Sequence, residues 1–144
     1  MRSTVILVLL ALAVVVVIFK TSLIHTVEYG FAKNSLDKIQ SCTPDQVKDV
    51  GAFWTWNKNK EVKITEKSKI SLFLSVCKHD LSLDKREKGE HLGYDKIVVH
   101  LESGGTVNLT CWFSPKQNGD KLVSQTIRSR GIFKPFMMDL FTNK

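Results

Sequence analysis

From Thr4 to Phe19 the chain reads TVILVLLALAVVVVIF, an apolar run without a single charge, directly behind Met1-Arg2-Ser3. A helix that continues through this run to Ile24 would span about 31 Å, which is close to the hydrocarbon thickness of a bilayer. Lys20 would then lie near the far interface and extend its ammonium group into water. The pattern predicts a transmembrane signal anchor over residues 1–24.

Two other interpretations of the run are open. A secretory signal peptide needs small residues three and one places before the cut, and the bonds after Phe19 offer only Lys20, Thr21, Ser22 and Leu23. A buried helix of a soluble domain is disfavoured, because such a helix is rarely apolar on every side. The flanking charges are nearly balanced, so we expect export of the following domain from the single-segment layout alone.

Beyond the run, apolar residues continue at helical spacing, which predicts an amphipathic juxtamembrane helix over residues 25–43. Pro44 follows Ser41-Cys42-Thr43 and should end this helix. The apolar positions are Leu23, Ile24, Val27, Phe31, Leu36 and Ile39. Residues 44–144 are long enough for one globular domain with its own core.

Alternation in Ala52–Trp56 and in Glu61–Ile64, separated by a polar turn, predicts a first β-hairpin. Thr65 or Ser68 should cap a helix that continues to about Leu83. Its buried stripe is Ile70, Phe73, Leu74, Cys77 and Leu81. The charged stretch from Ser82 to Gly93 is expected to be an exposed loop, either a connector or a contact loop.

A second hairpin follows, in which Ile97, Val99 and Leu101 alternate with polar residues before two glycines. A three-residue loop, Ser103–Gly105, would pair Leu101 with Val107 and Ile97 with Cys111. Gly105 would then adopt the left-handed conformation. The apolar residues after the glycines are Val107, Leu109, Cys111 and Phe113, and His100 is expected beside Asn108.

A strand over Leu122–Arg128 and a terminal helix complete the predicted elements. The apolar residues of that helix are Phe136, Met137, Leu140 and Phe141. Antiparallel strands interspersed with helices predict an α+β fold, in which helices pack on one face of a small antiparallel sheet.

The chain carries a net charge of +7, and its excess is spread as lysine rather than as a dense block. The only cluster is Lys58, Lys60, Lys63, Lys67 and Lys69, interrupted by two glutamates. With Trp54 and Trp56, the residues Lys58, Lys60 and Lys63 are candidates for contact with the membrane surface. The alternatives are a solvated basic face and tryptophans packed on their own core. Few arginines and no nucleic-acid module argue against nucleic acid as a partner.

Three cysteines, Cys42, Cys77 and Cys111, lack the spacing of a zinc site. Cys77 lies on the helical stripe and Cys111 on the apolar strand face, so both thiols should enter one core. If the domain folds in an oxidising compartment, we expect these two to form a disulfide. The reduced alternative is two core thiols in contact.

No catalytic motif, cofactor-binding fingerprint or metal site is present in the sequence. Cys77 and His79 point to different sides of a helix, and Asp80, Asp84 and Glu87 are expected to be solvated loop carboxylates. The sequence therefore predicts a single-pass, membrane-anchored, non-catalytic binding domain in the bacterial cell envelope. The lipid bilayer and an unidentified protein are its expected partners. The alternatives are a secreted domain and a small thiol-dependent enzyme that uses Cys42 or Cys77.

Overall fold

The computed structural model describes residues 2–53, 61–84, 95–111, 123–124 and 126–142. The chain forms two compact units, residues 1–31 and residues 32–144. Helix α1, Arg2–Ser41, supplies the first unit and continues into the second.

The first unit is an apolar helix whose side chains are open to its surroundings. Every large hydrophobic residue from Val5 to Phe19 is more than half exposed. A helix of this length and composition is able to cross a membrane, and a secretory signal sequence has the same properties. The predicted apolar helix is therefore confirmed.

The end of α1 is part of the second unit. Leu36 and Ile39 are buried in its core, at 2% and 0% exposure. The helix ends at Ser41, two residues before the predicted end at residue 43, and a short 3-10 helix, Pro44–Gln46, follows it. The residues from Ala32 onward, which the sequence assigned to a juxtamembrane helix, thus pack with the globular domain.

Four antiparallel strands form the main sheet of the second unit: β1 Val47–Phe53, β2 Glu61–Ile64, β4 Asp95–Leu101 and β5 Thr106–Cys111. Their order across the sheet is β2-β1-β4-β5. One face of this sheet carries the buried apolar residues, and the register places Val50 between Val99 and Ile64 on that face. The first predicted hairpin is confirmed as β1 and β2, with β1 beginning five residues earlier than expected.

Helices α2, Lys67–Asp80, and α3, Phe133–Thr142, contribute their apolar stripes to the same core. The predicted stripe of α2 is buried, and α3 buries Phe133, Met137 and Phe141. Because the sheet and the helices share one cluster of buried side chains, the α+β fold is confirmed.

Several predicted boundaries are wrong. Helix α2 ends at Asp80, because Leu81–Leu83 forms strand β3, which pairs with β6, Ile127–Ser129, in a separate two-stranded sheet. Neither Thr65 nor Ser68 is the N-cap, since Glu66 takes that position and receives a hydrogen bond from the Ser68 hydroxyl. This bond, followed by Lys69, lowers the pKa of Glu66.

The register of the second hairpin also differs from the prediction. Val99 pairs with Val107, and Cys111 lies opposite Asp95 rather than opposite Ile97. The loop is shifted by one residue towards the N-terminus, and Gly104 rather than Gly105 has a positive φ of 93°. Both registers place apolar residues opposite apolar ones, so the alternation selects the face but not the pairing.

Candidate functional site: a groove at the end of the long helix

A groove of about 620 Å³ opens at one end of the second unit. Its wall is built by the end of α1, by the 3-10 helix and by the β4–β5 hairpin. Lys38 and Ser41 come from α1, Cys42 directly follows this helix, and Ser103 and Thr106 come from the hairpin. Hydroxyl groups, charges and apolar atoms thus line one open surface.

A network of hydrogen bonds connects the elements that form this wall. The Lys67 ammonium of α2 donates to the carbonyl oxygens of Pro44 at 3.1 Å and Val47 at 2.6 Å. It also pairs with the Glu102 carboxylate at 3.2 Å. The N–H of Glu102 donates to the Gln46 carbonyl at 2.9 Å. The groove is therefore positioned by α2 and the hairpin together, and a single lysine crosslinks its parts.

Two charged groups on the groove remain available to a ligand. Lys38 and Asp45 are exposed, and neither forms an ion pair within the described part of the chain. An ammonium and a carboxylate in one groove provide anchoring points for the polar groups of a ligand.

The thiol of Cys42 lies in the same groove and is half-buried. Burial raises the pKa of this thiol, which keeps it protonated near neutral pH. A nucleophilic cysteine requires the thiolate, usually beside a cation that lowers the pKa. The groove consequently offers hydrogen bonds, charge and apolar contact rather than an activated sulfur.

The other two thiols are fully buried in the shared core. Burial, and then the nearby Asp80 carboxylate, raises the pKa of Cys77. The pKa of Cys111 is also raised well above its ordinary value, by burial first and then by Asp95. All three cysteines are free thiols in this structure, and a Cys77–Cys111 disulfide stays a prediction.

Asp80 is a buried carboxylate that the sequence interpretation placed wrongly among solvated loop residues. It is 2% exposed and accepts hydrogen bonds from the Ser129 hydroxyl and from the N–H groups of Arg130, Ile132 and Phe133. The sequence contained one indication that Asp80 is buried. It follows Cys77 by three residues and therefore lies on the same side of the helix as the apolar stripe. Its role in this arrangement is to cap α3.

A second polar pair lies on the other face of the sheet. The His100 imidazole Nδ1 and an Asp49 carboxylate oxygen are 2.6 Å apart, and Asp49 is 7% exposed. His100 lies opposite Thr106 rather than beside Asn108 as predicted. A carboxylate that orients a histidine is one part of a triad, but no described hydroxyl or thiol hydrogen-bonds to this imidazole.

The structure describes only one of the five residues that are predicted to contact the membrane surface. Trp54, Trp56, Lys58 and Lys60 lie outside the described residues. Lys63 is exposed and forms an ion pair with Glu61 at 3.3 Å. Lys67 and Lys69 also pair with glutamates. The described lysines of the cluster are therefore partly neutralised by neighbouring acids.

Within the described ranges, no group of three or more His, Cys, Asp or Glu side chains is arranged to hold a metal ion. Comparisons of the chain with protein-family models, curated proteins and solved structures found no match.

Proposed function

We propose that this chain is a single-pass membrane protein whose second unit binds a partner protein on the extracytoplasmic side of the cell membrane, without catalysing a reaction. The observation that supports this most directly is the open groove at the end of α1. It combines the exposed charges of Lys38 and Asp45 with polar and apolar atoms, and burial raises the pKa of its thiol.

The apolar helix supports the anchoring part of the proposal. Burying large apolar side chains is worth about 1.5–3 kcal/mol each, and the first unit leaves all of those from Val5 to Phe19 exposed. Insertion into a bilayer would remove these side chains from water. The bacterial cell envelope is the setting in which such an anchor presents a small domain to other surface components.

The binding part of the proposal is supported by the positions of the thiols and of the exposed polar side chains. The two core thiols are fully buried, and the third has a raised pKa. A ligand at the groove instead meets the exposed Lys38 and Asp45, together with the hydroxyl groups of Ser103 and Thr106. These groups suit reversible recognition.

Carbonate extraction of membranes from the native host tests the anchor. The full chain should stay with the membrane, and intact mass should show that Met1 is retained. Leu10→Asp with Val14→Asp should release it, because each charge at a helix centre costs about 2.5–3.5 kcal/mol in insertion. Leu10→Ala with Val14→Ala is the matched control and should remain bound. A mature chain beginning near Thr21 or Lys33 would show cleavage and contradict the anchor.

Photo-crosslinking in intact cells tests the groove. A benzophenone amino acid at position Ser103, inside the groove, should yield one discrete protein adduct. The same group at Ser75, exposed on α2 and outside the groove, is the control. Charge reversal by Lys38→Glu with Asp45→Lys should reduce the Ser103 adduct. Equal adducts at Ser103 and Ser75, or none at either position, would contradict a groove that binds a partner.

A further inference from the structure

Strand β5 is an edge of the main sheet. The strand order β2-β1-β4-β5 places it last, and in the described part of the chain it pairs with β4 alone. An edge strand presents backbone N–H and C=O groups that another strand is able to pair with.

The register identifies which backbone groups point outward. The N–H of Leu101 donates to the Gly105 carbonyl at 2.8 Å, which makes these two a hydrogen-bonded pair. In an antiparallel ladder such pairs alternate with non-hydrogen-bonded ones. Val107, Leu109 and Cys111 therefore bond towards β4. The backbone groups that point away from β4 are those of Thr106, Asn108 and Thr110.

These three residues are exposed, and none of them hydrogen-bonds to another described residue outside the sheet ladder. Each contributes one donor and one acceptor to the edge. The outward groups recur at every second residue, about 6.6 Å apart, which is the repeat of an added strand. This arrangement matches an extended polypeptide better than a compact ligand.

The edge also lacks the features by which proteins usually prevent such pairing. Strand β5 reads TVNLTC, with no charge and no proline. The opposite edge, β2, carries an ion pair between Glu61 and Lys63 at 3.3 Å. Charged residues on an edge strand discourage a second chain from pairing there. The two edges of one sheet thus differ, and β5 is the edge without charged residues.

We propose that β5 accepts an extended segment of a partner protein as an added strand. This inference rests on the proposed function and names the form of the ligand. Thr106 belongs both to the edge and to the groove, so the end of α1 lies beside the beginning of β5. The groove lined by Lys38 and Asp45 thus continues onto this edge, which favours a segment of the partner that occupies the groove over the sheet of a second copy. The segment should be uncharged where it faces β5, with alternating apolar and polar side chains.

Amide hydrogen exchange of the full chain in lipid nanodiscs tests the proposal. The probe is the synthetic peptide Lys-(Thr-Val)4-Lys. It should slow exchange at Thr106, Asn108 and Thr110 by about fivefold or more, because their N–H groups become bonded. Exchange at Val107 and Leu109, which are already bonded to β4, should change little. The control peptide carries N-methyl groups on its two central residues, which removes a donor from each of its edges.

Two variants separate the backbone from the side chain. Asn108→Pro removes an outward N–H without removing a bond to β4, and it should weaken peptide binding by about tenfold or more. Asn108→Ala keeps the N–H and should bind as the natural chain does. The N-methylated peptide tests the same point on the unaltered protein, so a folding defect in the proline variant does not decide the result.

Three outcomes would overturn the inference. They are no slowing of exchange, equal slowing by the N-methylated peptide, and protection of Asn108 without peptide that increases with protein concentration. The last would identify a second copy as the occupant. If the edge fails these tests while the Ser103 adduct persists, only the strand-addition inference is wrong. If the adduct is also absent, the proposed function fails with it.

Discussion

The Asp80 carboxylate accepts a hydrogen bond from the backbone N–H of Phe133 at 2.8 Å, so the last residue of α2 caps the first turn of α3. The Ser129 hydroxyl donates to the same carboxylate and accepts a hydrogen bond from the Gly131 N–H at 2.8 Å. Helix N-termini leave N–H groups without intrahelical partners, and a carboxylate satisfies them well. One buried side chain therefore joins α2, β6 and α3.

Asp80→Ala should lower the free energy of unfolding by about 3 kcal/mol, because it leaves several buried donors without an acceptor. Asp80→Asn should cost less, since one side-chain oxygen remains to accept. Urea unfolding of the full chain in a mild detergent measures both. Asp45→Ala, at an exposed carboxylate, should change stability by less than about 0.5 kcal/mol. Equal effects of Asp80→Ala and Asp45→Ala would contradict the capping role.

The two glycines of the β4–β5 loop should respond differently to alanine. Gly104 has a φ of 93°, so Gly104→Ala should cost about 1–2 kcal/mol. A Cβ at Gly105 would meet only the Leu101 side chain at 3.7 Å, an ordinary contact. Gly105→Ala should therefore be nearly neutral. The reverse order of these two effects in thermal unfolding would restore the register that the sequence alone suggested.

The buried thiols predict a loss of stability in alkaline solution. Folding raises the pKa of Cys77 and Cys111, so above pH 9 the unfolded chain loses protons that the folded chain keeps. Stability is therefore complete below pH 9 and falls above it, by about 1.4 kcal/mol per pH unit for each thiol. Unfolding of the reduced protein between pH 8 and pH 10.5 measures the slope.

Cys77→Ala is the matched variant for this measurement. It removes one of the two buried thiols, so its slope above pH 9 should be about half that of the natural chain. The substitution also leaves a cavity, which lowers the free energy of unfolding at pH 8, and this effect is measured separately from the slope. An unchanged slope would show that other groups cause the alkaline loss.

Thiol accessibility and pairing provide a further prediction. In the reduced protein, Cys42 should react with an alkylating reagent under native conditions, and Cys77 and Cys111 only after unfolding, because both are fully buried. In protein recovered from an oxidising compartment, we expect a Cys77–Cys111 disulfide. It would stabilise the fold by about 3–4 kcal/mol in the chain-entropy description.

Mass spectrometry of non-reduced peptides decides the pairing. A peptide pair linked through Cys77 and Cys111 supports the disulfide, and Cys77→Ser should leave Cys111 open to alkylation after unfolding. A pair linked through Cys42, or three free thiols in the exported protein, contradicts it. Native alkylation of the reduced protein is independent of this result.

The hairpin of β4 and β5 shows what the sequence pattern predicts and what it leaves undetermined. Alternation placed Val99, Val107 and Cys111 on the buried face, and all three are buried there. The pairing of Val99 with Val107 did not follow, since a shift of two residues leaves every face unchanged. The turn geometry at Gly104 selects the register, and two adjacent glycines give the sequence no basis for choosing between them.

Helix α2 shows a similar limit. Its buried stripe was predicted from three- and four-residue spacing, because helical periodicity is a local property. The end at Asp80 was not predicted. Leu81–Leu83 leaves the helix to pair with Ile127–Ser129, a segment more than forty positions away in the chain. Pairing with a distant strand outweighs local helix propensity here. The pattern of neighbouring residues contains no information about that pairing.

By itself the sequence determined the apolar helix, the periodicity of α2 and the buried faces of the hairpins, because each depends on residues that are near one another in the chain. Only the tertiary structure decided the contacts between distant positions. These are the cap of Phe133 by Asp80, the pairing of His100 with Asp49 and the groove between α1 and the hairpin. The free energy of such contacts is realised only when the fold closes the intervening loops, and no local pattern records which distant residues will meet.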